Sequence, residues 1–114
     1  MRSEGFLELA HQLDGVEIKD GSRYATLRVH GNTFGYLWEA TQTVGLKQLL
    51  AEQLALVSER PEVFEVQFTI GQFGWVVVQL DGVDRAELAE LTYEAWRLTA
   101  PVTLVQARGD RLPR

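Results

Sequence analysis

The chain has no cysteine. That excludes disulfides, thiolate metal sites and a cysteine nucleophile, and it fits a reducing compartment. Histidine occurs only at positions 11 and 30. Neither His11 nor His30 has a second ligand at metal-binding spacing, and the acids lack the spacing of a calcium loop, so no metal and no cofactor is expected. Serines stand only at 3, 22 and 58, none in a nucleophile elbow. Gly71-Gln72-Phe73-Gly74 lacks the lysine and the spacing of a phosphate loop. No catalytic residue is assigned. Long apolar runs are also missing: the densest, Trp75 to Val78, is far too short to cross a bilayer. The early acid Glu4, with no apolar run after it, does not read as a signal peptide. A cytoplasmic protein with no membrane partner is expected. Surplus positive charge is absent as well, since the net charge is -5. Nucleic-acid binders usually carry a positive footprint, so any such role needs a local basic face.

What is present is globular. Hydrophobic residues make up 46% of the chain and only three of its 114 residues are proline, which suits one domain with one core. A first helix is expected after Ser3 as N-cap, with Phe6, Leu9, Ala10 and Leu13 as its apolar stripe. Asp14-Gly15 stops it. Strands follow at 16–19 and 24–30, a hairpin turn at Gly31-Asn32, and a return strand at 33–39. On that return strand Phe34, Tyr36 and Trp38 share one face. A strand at 43–48 runs into a helix over 50–59, buried through Leu50, Leu54 and Val57 and ended by Arg60-Pro61. Residues 66–70 and 75–80 read as strands, the second apolar on both sides and therefore central or doubly covered. Gly74 is expected to relieve a turn before Trp75. Asp84 and Glu87 have capping-box spacing and open a helix over 84–98, with Leu88, Leu91, Ala95 and Leu98 inward. Glu90, Tyr93, Glu94 and Arg97 make an ion-paired outer side. After Pro101 an extended piece at 102–105 and a frayed polar tail from Ala107 are expected.

Short turns between the middle strands imply antiparallel pairing. The fold class is therefore α+β: a single antiparallel β-sheet with helices packed on one face, formed by residues 1–106, with 107–114 as a polar tail. Tyr24, Phe34, Tyr36, Trp38, Phe73 and Trp75 gather around the strands. Beside Arg23, Arg28 and His30 they would suit a platform on which bases stack. Strand aromatics are common core material, however, and core is the reading taken.

The whole pattern resembles the MmcQ/YjbR family of small bacterial proteins. The matching pieces are Leu13-Asp14-Gly15-Val16-Glu17-Ile18-Lys19, the run from Thr26 to Phe34, Arg60-Pro61-Glu62-Val63-Phe64, the run from Gly74 to Asp84, and Glu94-Ala95-Trp96-Arg97-Leu98-Thr99-Ala100-Pro101. The resemblance implies a compact α+β domain, similar to CyaY-like and secretion-chaperone-like arrangements, with no attached enzymatic activity. It also implies a "double wing" shape associated with double-stranded DNA. Here Leu49-Leu50 replaces the family's serine-proline pair, and Val102 stands where many members carry lysine.

Three readings follow. The first is a DNA-binding domain whose phosphate contacts come from Arg23, Arg28, His30, Lys47, Arg108 and Arg111. The second is a protein-interaction or chaperone-like module, paired with another protein or with itself as a homodimer. The third is a small-ligand binder or enzyme, which requires a pocket with convergent polar groups.

Overall fold

The computed structural model describes residues Met1–Arg114. Six strands form one sheet in the order β1-β2-β3-β4-β6-β5, every neighbouring pair antiparallel. They are β1 Val16–Asp20, β2 Ala25–Val29, β3 Asn32–Trp38, β4 Thr43–Leu49, β5 Phe64–Ile70 and β6 Phe73–Gln79. The helices are α1 Ser3–His11, α2 Leu50–Glu59, α3 Arg85–Arg97 and α4 Val102–Arg108. The α+β expectation of one antiparallel sheet with helices on one face is met.

Period-two alternation sorts each strand into an inner side, under the helices, and an outer side. Ala25, Leu27 and Val29 of β2, Val44 and Leu46 of β4, and Val76 and Val78 of β6 are buried inward. They meet the stripe Phe6, Leu9, Ala10 and Leu13 from the first helix, and Leu88, Leu91, Ala95 and Trp96 from α3. Asp84 caps α3 by accepting a hydrogen bond from the Glu87 N–H at 2.8 Å. Trp96 is fully buried, and its indole N–H reaches the Asp14 carbonyl at 2.9 Å.

Several local expectations change. The β2–β3 turn is His30-Gly31, one residue earlier than expected, because Val29 pairs with Asn32. His30 and Gly31 both take positive φ, 47° and 79°, as a two-residue turn of this twist requires. A bulge between Leu27 and Arg28 then places Thr33 opposite Arg28 and Gly35 opposite Leu27. Phe34 falls in the bulge and turns into the core, leaving Tyr36 and Trp38 on the outer side without it. Ser3 is the first helical residue rather than the cap, and its N–H is satisfied by Gln42 Oε1 at 2.8 Å.

On α2, Leu54 is exposed and Gln53 is buried instead. The Gln53 amide donates to the Phe68 and Trp75 carbonyls at 3.1 and 2.9 Å, beside a second bulge in β5 between Val66 and Phe68. Gly74 lies inside β6 rather than in the turn: a Cβ there would come within 2.6 Å of the Gln53 side chain, so close approach of α2 is its reason. Gly71, at φ 58°, is the glycine that relieves the turn. Residues 102–108 are helical rather than extended. The tail is tied down: Tyr93 Oη donates to the Gly109 carbonyl at 2.6 Å, and Arg114 and Gln12 bond each other twice. Pro101 makes this helix possible, since its fixed φ of -57° starts one and its ring lacks only an N–H that would be unpaired there.

Candidate functional site: the open face of the sheet

No helix covers the outer side of the sheet, and that side carries most of the chain's aromatic rings. Tyr36 and Trp38 of β3 stack at 5.8 Å between centroids. Tyr24, 45% exposed, meets Tyr36 edge-on at 5.6 Å. Tyr36 also meets Trp75 of β6 at 5.5 Å, and Trp75 stacks on Phe68 of β5 at 5.0 Å. The row therefore crosses from β2 to β5. It passes over β4 because Gly45, opposite both Tyr36 and Val77, has no side chain to separate the rings. Gln67, the extra residue of the β5 bulge, lies across Gly45 in that gap. Below the row, Lys47 places its ammonium over the Phe73 ring at 4.1 Å, and partial burial holds its pKa below the ordinary lysine value. Exposed Leu49 and Ile70 flank Phe73 in the register.

β6 is an interior strand, paired with β4 and β5, and it is covered by helices on one side alone. Its outer apolar side is shielded by the neighbouring rings. Trp75 is only 6% exposed for this reason.

Charge is divided in the same way. Arg60, Arg85, Arg97 and Arg108 all form ion pairs, and all belong to the helical layer or the segments attached to it. Arg60 pairs with Glu87 and Arg97 with Glu94; in each case hydrogen bonding to the carboxylate raises the arginine pKa. A groove between α2 and α3 is lined by Glu52, Glu87, Glu90 and Glu94. Lys19, Arg28 and Lys47 project on the same side of the sheet as the rings, with Arg23 in the adjoining loop, and none of them forms an ion pair. Glu17 and Glu65 are the carboxylates of that side. The two buried side-chain polar atoms without a hydrogen-bond partner, Arg28 Nε and Gln67 Oε1, also lie there.

Of the six residues expected to contact phosphate, Arg23, Arg28 and Lys47 come to this face. His30 sits at the exposed tip of the β2–β3 hairpin, near Gly15. Arg108 is 7% exposed and is consumed by the fold. It donates to the Gln12 and Arg111 carbonyls at 2.9 and 2.7 Å, and its guanidinium lies 6.0 Å from the Trp96 ring. Arg111 donates back to the Arg108 carbonyl at 3.1 Å. Lys19, Phe68 and Gln67 belong to the face but were not singled out from the sequence. Lys19 was within reach of strand alternation, because it stands opposite Thr26 across the β1–β2 hairpin. Phe68 and Gln67 were not, because the bulge breaks the alternation that would reveal them.

A family model described as YjbR matches residues 11–98. The chain belongs to the YjbR family. Among solved structures, this YjbR chain is similar to protein DR2400 of Deinococcus radiodurans, whose family-model domain is DUF419. The TM-score is 0.75 at 16% identity, over 85% of this chain and 77% of that one. That likeness concerns the fold. No curated protein matches the chain. No helix of this YjbR chain is long and apolar enough to cross a membrane.

Proposed function

We propose that this YjbR protein binds nucleic acid on the open face of its sheet, with a single strand as the best-fitting form. The observation that carries the reading is the coincidence of the ring row with unpaired cations. Tyr24, Tyr36 and Trp38 offer π-faces beside Arg28, Lys19, Arg23 and Lys47. Base stacking on such rings is sequence-tolerant and contributes about 1–3 kcal/mol per base. The cations supply phosphate contacts whose strength falls with salt. The overall charge of -5 does not oppose this, because the acids concentrate on the helical layer while the face itself holds three cations against two carboxylates. A pleated sheet also suits splayed bases better than a duplex groove, which takes a helix or a two-stranded ribbon. The "double wing" association with double-stranded DNA becomes the comparison arm of the test.

The experiment is fluorescence anisotropy of a labelled oligonucleotide, single-stranded and duplex, across a salt series. Micromolar binding that weakens with salt and prefers the single strand is expected. A preference for duplex that survives Trp38→Ala would move the contact to the hairpin tips. Binding of neither form at low salt would defeat the reading.

A second reading keeps one specific observation. Leu49, Ile70 and Phe73 form an apolar corner beside edge strand β5, which carries a single charge, Glu65. Edge strands are ordinarily blunted by charge or bulges, and β5 has one bulge and the one charge. Pairing of two copies through β5 is the alternative. A mass in solution of twice the chain's 12.9 kDa, lost on Ile70→Lys, would support it.

A further inference from the structure

A cleft of about 310 Å³ opens where the β1–β2 loop meets the outer side of β2. Lys19, Asp20, Arg23 and Arg28 line it, with Tyr24 as one wall. We propose that this cleft is a binding site for a phosphate monoester, held by Lys19, Arg23 and Arg28. The proposal deepens the nucleic-acid reading and rests on it for the identity of the group attached to the phosphate.

Three observations carry it. The first is charge: three cations and one carboxylate, Asp20, line the cleft, and none of the three cations forms an ion pair. Glu17 stands opposite Arg28 across the strand pair, yet makes no ion pair with it. Three cations against Asp20 in the lining and Glu17 beside it leave a positive excess, and a monoester, at about -1.5 to -2 near neutrality, draws on it more strongly than a diester or a carboxylate at -1. The second is Arg28 itself. Its stem is half-buried against the sheet and its Nε is closed to solvent without an acceptor. Such an arginine has donors to spare for an oxyanion, whose two oxygens fit its planar fork. The third is the setting. Ser22, Thr26 and Tyr24 bring hydroxyls to the same walls, and the Tyr24 ring is both a wall of the cleft and the first member of the ring row. A phosphate seated among the cations therefore places its ester group against Tyr24, in line with Tyr36 and Trp38. For a nucleic acid strand, the phosphate that fits is a terminal one.

The test uses the full chain, isotope-labelled for NMR. It is titrated with inorganic phosphate, then with one short oligothymidylate carrying either a 5′-phosphate or a 5′-hydroxyl. Phosphate is expected to shift the amides between Lys19 and Arg28, and the 5′-phosphorylated strand to bind about tenfold more tightly, a difference of about 1.4 kcal/mol. That advantage is expected to vanish in Lys19→Ala/Arg23→Ala, both exposed positions outside the core, and to persist in Lys47→Ala. Equal affinity for the two strands with no shift from phosphate overturns the cleft while leaving the open-face reading standing. Phosphate shifts in the cleft with neither strand bound uphold the site for small phosphate esters and remove the nucleic-acid reading. Phosphate shifts that survive the double substitution overturn the assignment of these residues.

Discussion

Trp96 and Trp38 belong to one chain and meet opposite surroundings. Trp96 lies under the helices, fully buried, its indole N–H bonded to Asp14 and its ring beside Arg108. Trp38 lies on the other side of the same sheet, only partly buried, stacked on Tyr36 with no helix above it. The arginines divide likewise. Arg108 spends its donors on backbone carbonyls and stays inside, whereas Arg28 keeps an Nε without a partner on the open side. One face of the sheet is thus arranged as a core, with rings enclosed and Arg60, Arg85, Arg97 and Arg108 in ion pairs. The other repeats the same residue types with their partners left out. On the proposed reading, the open face keeps these rings and cations available to a ligand.

The largest effect that would sharpen this contrast is on stability. Trp96→Ala should cost about 3–5 kcal/mol, as removal of a large enclosed ring does. Trp38→Ala should cost clearly less, because part of its surface is already in water. Denaturant midpoints of the two variants test this, and equal losses would mean that the open face is a second core. Next comes binding. Tyr36→Ala and Trp38→Ala should each weaken a single strand by about 1–3 kcal/mol by anisotropy, with the fold retained. A smaller effect is expected on salt dependence: Arg28→Gln should lower the slope of log affinity against log salt by about one unit, and Arg97→Gln should leave it unchanged. A slope that responds to Arg97 would transfer the phosphate contacts to the helical layer.

The smallest effect concerns Lys47. Burial lowers its pKa below the ordinary 10.5, so the folded chain releases this proton at a lower pH than the unfolded chain does. Between those two values the unfolded state holds more protons, and stability rises with pH. Wild type should therefore gain stability relative to Lys47→Met as pH climbs toward 10.5, so the gap between the two changes with pH in favour of wild type. Urea melts at neutral and alkaline pH check the sign. A gap that stays constant would show that the ammonium over Phe73 carries no burial penalty.

Much of the fold was legible because local signals and burial agree. The stripe Phe6, Leu9, Ala10, Leu13, the Asp84–Glu87 cap and the alternation of Ala25, Leu27 and Val29 each point to one structure. The candidate face was legible only as an inventory. Its rings were assigned to the core, and the reason lies in β3. Phe34, Tyr36 and Trp38 share a parity in sequence, but a turn one residue early and a bulge send Phe34 inward and the other two outward. Nothing local in an aromatic strand says which of its sides the helices will cover. Arg108 shows the converse failure. A polar, arginine-rich tail reads as free, whereas Pro101 starts a helix whose last residue folds its guanidinium back against Gln12 and Trp96. Gln53 is a third case: its polarity argues for the surface, while two backbone carbonyls beside the β5 bulge hold it inside.

The most direct test of the open face as the binding surface is an NMR titration of the labelled chain with a short single-stranded oligonucleotide. The account predicts shifts at Tyr24, Arg28, Tyr36, Trp38 and Lys47, including the Trp38 indole, and an unmoved Trp96 indole. Shifts confined to the acidic groove between α2 and α3, or no shifts at low salt, would contradict it.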